Sequence, residues 1–181
     1  MVNAWYMNDN DSEDQRSERH LSPPQFVSLD ELSDKTGVLY YAINADDYEA
    51  EGKLAKIRAE RGYTYSDSLE CCPQRLDNYL EKIKSFFTEH IHSDEEIRFV
   101  LNGSGYFDVR DNEDKWIRIL VEKGDLLILP AGIYHRFTLD NNDYIKVIRL
   151  FVGEPVWTPI NRPADTHPAR VDYLANLTKV S

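Results

Sequence analysis

Basic residues are in short supply: 21 Lys and Arg stand against 32 Asp and Glu in 181 residues, a net charge of −11. Nucleic-acid binding and adhesion to an anionic membrane both need clustered Lys and Arg. The balance therefore argues against a nucleic-acid partner and favours small molecules or metal cations. Cysteine is scarcer still, with only the adjacent Cys71 and Cys72. Neighbouring Cα atoms lie about 3.8 Å apart, closer than the roughly 4.4 Å at which disulfides begin. The pair is read as two free thiols in a reducing compartment, and two thiolates are too few for a Cys-rich zinc site. Long apolar runs are missing as well. Nothing approaches the run of about 18 apolar residues that spans a membrane, and MVNAWYMNDNDSEDQ turns acidic where a secretory signal would be apolar. A cytosolic location is expected. Eight Gly and eight Pro exclude collagen-like and low-complexity chains, leaving a composition 41% hydrophobic that suits one domain around one core.

Residues 8–20 (NDNDSEDQRSERH) lack apolar periodicity and are expected to be a solvated loop or a disordered stretch, with His20 simply exposed. Ser28 and Glu31 have the spacing of a capping box, predicting a short helix that ends near Gly37, and VLYYAI after it reads as a strand. Leu54 and Ile57 mark a surface helix between Tyr48 and Arg61, and Leu76, Tyr79, Leu80, Ile83, Phe86 and Phe87 mark a stronger one. The first 87 residues are thus expected to be mixed, with helices predominating. From residue 88 to 153 the chain breaks into IRFVL, YFDVR, WIRILV, LLIL, YHRFTL and YIKVIRLFV, separated by turn signals. Such spacing predicts an antiparallel barrel or sandwich. Residues 154–181, with Pro155, Pro159, Pro163 and Pro168, are expected to wrap the barrel irregularly before a C-terminal helix or tail. The fold class is mainly β, one domain with additional N-terminal helices.

His90 and His92 are two apart, so on a strand they share a face, and Glu96 follows after a turn at Ser93-Asp94. His135 can join from a distant strand. Three imidazoles and a carboxylate suit iron, nickel, manganese, cobalt or zinc, with octahedral metals keeping two positions open. The spacing is distinctive: Glu96 is followed by Gly103, and Gly124-x5-Pro130-x-Gly132-x2-His135 comes later. These residues resemble the two motifs of the cupin superfamily. Lys84 and Leu139 depart from that pattern, where its first Gly and last Asn would stand, and neither position is a ligand. AWYM, TEHIHSDEEIRFVLNGSGYFDVRD, KGDLLILPAGIYHRFT and RLFVGEPVWTPINRP together resemble the acireductone dioxygenase family of animals, over essentially the whole chain.

The resemblance implies a cupin jelly-roll barrel and metal ligands at His90, His92, Glu96 and His135, the four positions that spacing selects. It implies one iron(II) per chain, with nickel(II) as the alternative. The implied reaction belongs to methionine salvage and joins O2 with acireductone, 1,2-dihydroxy-5-(methylthio)pent-1-en-3-one. Iron gives formate and 4-methylthio-2-oxobutanoate, and nickel gives formate, carbon monoxide and 3-methylthiopropanoate. Further implied are a nuclear as well as cytoplasmic location and docking to the cytoplasmic tail of a membrane-type matrix metalloproteinase. A monomer is expected. Arg98 shares the face of Glu96, so it is the candidate to stabilise the enediolate anion, or else a salt-bridge partner of Glu95, Asp108 or Asp125. Arg149 is a second candidate cation or an inter-strand pair. Phe87, Phe107 and Phe137 are candidate pocket walls for the methylthio tail or plain core residues. Glu96 is the nearest candidate general base. Other cupin enzymes, such as a sugar isomerase or a quercetinase-type dioxygenase, and a metal-stabilised binding module are the competing readings.

Overall fold

Alternation of apolar and polar residues builds two antiparallel sheets that share one long strand. The computed structural model describes residues 3–180, the last three by backbone alone. In chain order the elements are β1 (Asn3–Tyr6), β2 (Phe26–Val27), α1 (Leu29–Thr36), β3 (Leu39–Ala42), α2 (Tyr48–Glu51), α3 (Lys53–Arg61), β4 (Tyr65–Cys71), α4 (Tyr79–Phe86), β5 (His90–Ile91), β6 (Glu96–Arg110), β7 (Trp116–Glu122), β8 (Asp125–Leu129), β9 (His135–Leu139), β10 (Ile145–Phe151), β11 (Ile160–Asn161) and α5 (Pro168–Val180). The first half of β6 pairs with β8 and β10, which in turn pair with β3 and β4. Its second half pairs with β7 and β9 in the sheet β11-β5-β9-β6-β7-β1-β2. The result is a mainly β, jelly-roll type of barrel.

The predicted strands IRFVL and YFDVR are therefore one strand, and NGSG between them is no turn. The register against β10 slips between Lys146 and Val147, leaving Leu101 without a partner, and Gly103, in register with Ile145 two residues on, sits at φ +79°. The slip is a bulge where β6 passes from one sheet into the other, and the left-handed backbone beside it at Gly103 favours glycine.

Strand parity sorts the side chains. On the first sheet Ile97, Phe99, Leu126, Ile128 and Leu150 face outward and pack under Leu54 and Ile57 of α3 and Tyr63. Each such burial stabilises by roughly 1.5–3 kcal/mol. On the second sheet Phe107, Val109, Ile117, Ile119 and Leu139 belong to the interior cluster. Asp108 faces the other way, opposite Arg118 on β7 and Arg136 on β9, and accepts from their Nε atoms at 2.7 and 2.8 Å.

Arg118 is 0% exposed because residues 8–20 fold across it. Its Nη1 donates to the carbonyls of Gln15 and Ser17, Trp5 Nε1 donates to the Glu18 carbonyl, and Arg16 pairs with Asp143 at 3.0 Å. The stretch expected to be solvated or disordered is an ordered strap whose backbone satisfies a buried guanidinium. His20, expected to be simply exposed, stacks on Trp5 with ring centroids 4.4 Å apart.

Helix α1 forms where expected: Ser28 Oγ accepts from the Glu31 amide at 3.1 Å and Gly37 ends it in the left-handed region. Replacing Ser28 with alanine should lower stability by about 1 kcal/mol, read as a shifted urea midpoint with unchanged slope. The helix expected over 48–61 is divided at Gly52, and the one expected over 76–87 is confined to Tyr79–Phe86. Strands β1, β3 and β4 pair with β7, β8 and β10, so the sheets draw on the front of the chain and are not confined to 88–153. The segment 154–181 runs irregularly through the short β11 and then forms α5, the helix that is one of the two expected endings. Pro168 opens that helix, His167 Nδ1 accepts from the Ala169 amide at 3.1 Å, and Tyr173 donates to the Thr36 carbonyl at 2.7 Å. Proline is favourable at a first helical position, where no amide donor is needed.

Candidate active site

Strand β5 is only two residues long, yet it sets the geometry of the site. His90 lies directly opposite His135 of β9, and the intervening Ile91 turns away into a small cluster with Tyr134 and Ala164. His92 follows on the same face as His90, and the Gly132 amide ties its carbonyl at 3.0 Å. The three rings meet with centroids 4.5–5.3 Å apart, and one nitrogen from each lies within 4.8 Å of the others.

Each Nδ1 faces a backbone carbonyl: His90 that of Thr88 at 2.6 Å, His92 that of Thr158 at 3.1 Å, His135 that of Ile133 at 2.9 Å. A carbonyl only accepts, so Nδ1 carries the proton and Nε2 offers its lone pair. Such carbonyl contacts orient metal-ligating imidazoles. Burial, then the neighbouring His135, pushes His90 down to about 4, and burial also lowers His92. Both are neutral at pH 7, so a cation meets free bases.

Glu96, at the start of β6, lies beside the three histidines. Its Oε2 stands 2.6 Å from His135 Nε2, yet both atoms are buried and neither has a hydrogen-bond partner. Two orphaned atoms side by side fit a shared metal ion, so the residues present accept the group that the motif spacing implies. Burial works against ionisation of Glu96, but the Arg98 guanidinium outweighs it and holds the carboxyl well below its ordinary range.

Arg98 Nη2 meets Glu96 Oε1 at 2.9 Å, and its Nη1 donates to the Ile97 carbonyl. It is therefore neither an unpaired cation nor a partner of Glu95, Asp108 or Asp125. Arg149, beside it on β10, holds Asp67 of β4 by two hydrogen bonds at 2.8 and 2.6 Å. It is an inter-strand pair that also lines the site. Trp157 lies against both cations, 4.4 Å from Arg149 and 5.4 Å from Arg98.

Behind the donors lies a cavity of about 190 Å³. His90, His92, Glu96, Arg98, His135 and Arg149 form its polar side; Leu69, Cys71, Phe86, Phe107, Phe137, Ile145 and Val147 form its apolar side. Phe107 and Phe137 stand where expected, with centroids 4.9 Å apart. Phe87 does not: it points to the outer face, under the guanidinium of Arg136 at 4.1 Å, and Phe86 lines the cavity instead. One residue along a helix rotates the side chain by about 100°, so assigning the wrong one of two adjacent rings moves it out of the site. Sequence reasoning also missed Asp67, Leu69 and Trp157. The alternation of Tyr65, Asp67, Leu69 and Cys71 was a strand signal, obscured by its serines and acids.

Residues 3–159 match the profile of the ARD/ARD' family. The chain is 66% identical over 177 residues to an acireductone dioxygenase of Ixodes scapularis, covering 98% of this chain and 97% of that protein. It is 61% identical over 175 residues to acireductone dioxygenase 1 of Vitis vinifera, covering 97% and 92%. An acireductone dioxygenase structure from Bacillus anthracis, with a cadmium ion in its active centre, superposes with a TM-score of 0.66. That likeness carries 26% identity over 76% of this chain and 93% of the other. On matches of this extent, the chain belongs to the ARD/ARD' family.

Proposed function

We propose that the protein is an acireductone dioxygenase that joins O2 with 1,2-dihydroxy-5-(methylthio)pent-1-en-3-one, giving formate and 4-methylthio-2-oxobutanoate, with iron(II) as its metal. The observation that carries the reading is the meeting of one nitrogen from each of three imidazoles within 4.8 Å, with Glu96 Oε2 2.6 Å from His135 Nε2, at the polar side of a largely apolar cavity. A divalent metal held by His90, His92, Glu96 and His135 supplies Lewis acidity and open positions for substrate oxygens. Nickel(II) suits the same donors and is the alternative metal, with formate, carbon monoxide and 3-methylthiopropanoate as products.

The chain's own residues do the rest. Arg98 keeps Glu96 ionised and holds its Oε1, leaving Oε2 beside His135 Nε2, where it would be free to hold the metal. Glu96 is assigned to metal holding, the role its place beside His135 fits. Arg98 and Arg149 place two guanidinium groups beside the enediolate, where positive charge favours the anion. Phe86, Phe107 and Phe137 give the thioether tail an apolar wall and keep water from the reacting carbons. A metal-stabilised scaffold would have no use for such a cavity. The reducing interior of the cell is the setting we assign, since Cys71 and Cys72 are free thiols.

Oxygen-18 labelling tests the reaction class. With iron(II)-loaded protein and labelled O2, one heavy atom is expected in formate and one in the keto acid. Heavy oxygen in neither product would overturn the reading.

A further inference from the structure

The first sheet continues past the metal as a ladder of cross-strand rows. Register on β6, β10 and β4 places Arg98, Arg149 and Asp67 in one row, then Val100, Val147 and Leu69, then Gly103, Ile145 and Cys71. Successive rows are two residues, about 7 Å, apart. The first row is charged and the next two are apolar. In the third row Gly103 has no side chain, so Ile145 and Cys71 are the row's side chains that line the cavity.

Cys71 is 3% exposed and lines the cavity beneath α4, with Ser85 and Phe86. Burial pushes its thiol up to about 11, so it is a small neutral group and no nucleophile.

We propose that Cys71 is the specificity-determining residue for tail length: its small side chain sets how far an unbranched apolar tail extends from the metal end. The inference rests on the acireductone reading above and adds the determinant of which acireductone fits. Width is controlled separately, from the other sheet. A Cβ on Gly105 would lie 3.0 Å from two ring atoms of Phe137, so glycine there lets that ring lie flat on β6.

The test is oxygen uptake by full-length, iron-loaded protein on acireductones that differ only in the length of a straight alkyl tail. In Cys71→Leu the ratio of kcat/KM for the long tail over the short tail should fall about 10-fold or more, chiefly through KM, as expected for crowding by added methylene groups. In Cys71→Ala the preferred length should move up by about one carbon. Gly105→Ala, which drives Phe137 into the cavity, should penalise branched tails and leave the preferred length where it was. If Cys71→Leu fails to fold, Cys71→Ala decides alone. A length preference identical in wild type and Cys71→Ala would overturn the assignment while leaving the acireductone reading intact. A wild-type protein that turns over none of the series would overturn both.

Discussion

Replacing His92 with alanine is expected to release the metal and lower turnover by about 1,000-fold or more, with the barrel still folded. Loss of a group that merely orients a ligand costs 10–100-fold in metal affinity, so loss of the ligand itself costs at least about 100-fold. The Lewis-acid contribution forfeited with the metal amounts to several kcal/mol, and each 1.4 kcal/mol is tenfold in rate. The fold survives because His92 is only partly buried at the edge of the cavity and lies outside the four hydrophobic clusters. Its ring makes one backbone contact, to Thr158, so the metal-free variant should unfold within about 1 kcal/mol of the metal-free parent. Metal content after desalting, beside a denaturation curve, checks both halves. A variant that retained one metal per chain would remove His92 from the donor set.

Arg98→Met should give the second-largest effect, and through Glu96. The methionine keeps most of the arginine stem but leaves the Glu96 carboxylate buried without its cation. Breaking one side of a buried pair costs about 3–5 kcal/mol. Glu96 is depressed in the folded state, so it contributes stability above its ordinary value near 4.5 and loses it as the pH falls through the lower, folded value. Without Arg98 that depressed value rises. Metal affinity should drop about 10–100-fold, and the acid limb of the pH–rate profile should move to higher pH. Arg98→Lys should restore much of the limb, because a point charge serves Glu96 even without the planar fork. If Arg98 acted on substrate alone, KM would rise and the acid limb would stay in place.

The cluster of three histidines was legible in the sequence because strand geometry forces its spacing. Two ligands on one face of a strand must be two apart, and the Pro130–Gly132 turn must precede His135 by a fixed distance to bring it opposite His90. The barrel strands were legible for the same reason, through period-two alternation. The rest depended on partners distant in the chain. Asp67 looks out of place on an inward strand face until Arg149 is set beside it, so β4 gave no apolar signal. The strap over 8–20 is polar because its carbonyls serve Arg118, a requirement visible only once β7 is in place. Gly103 looked like a turn because the left-handed backbone that glycine favours serves beside a bulge as it does in a turn. The purpose of Cys71 depended on the register of β4 against β10, which no local pattern encodes.

The most direct measurement is oxygen uptake by metal-stripped protein reloaded with one equivalent of iron(II) and given acireductone. The four-donor site and its apolar cavity predict enzyme-dependent uptake, one O2 for each formate released, and none before iron is restored. Protein shown to hold one iron per chain that consumed no oxygen would contradict the account and leave a metal-binding barrel without this reaction.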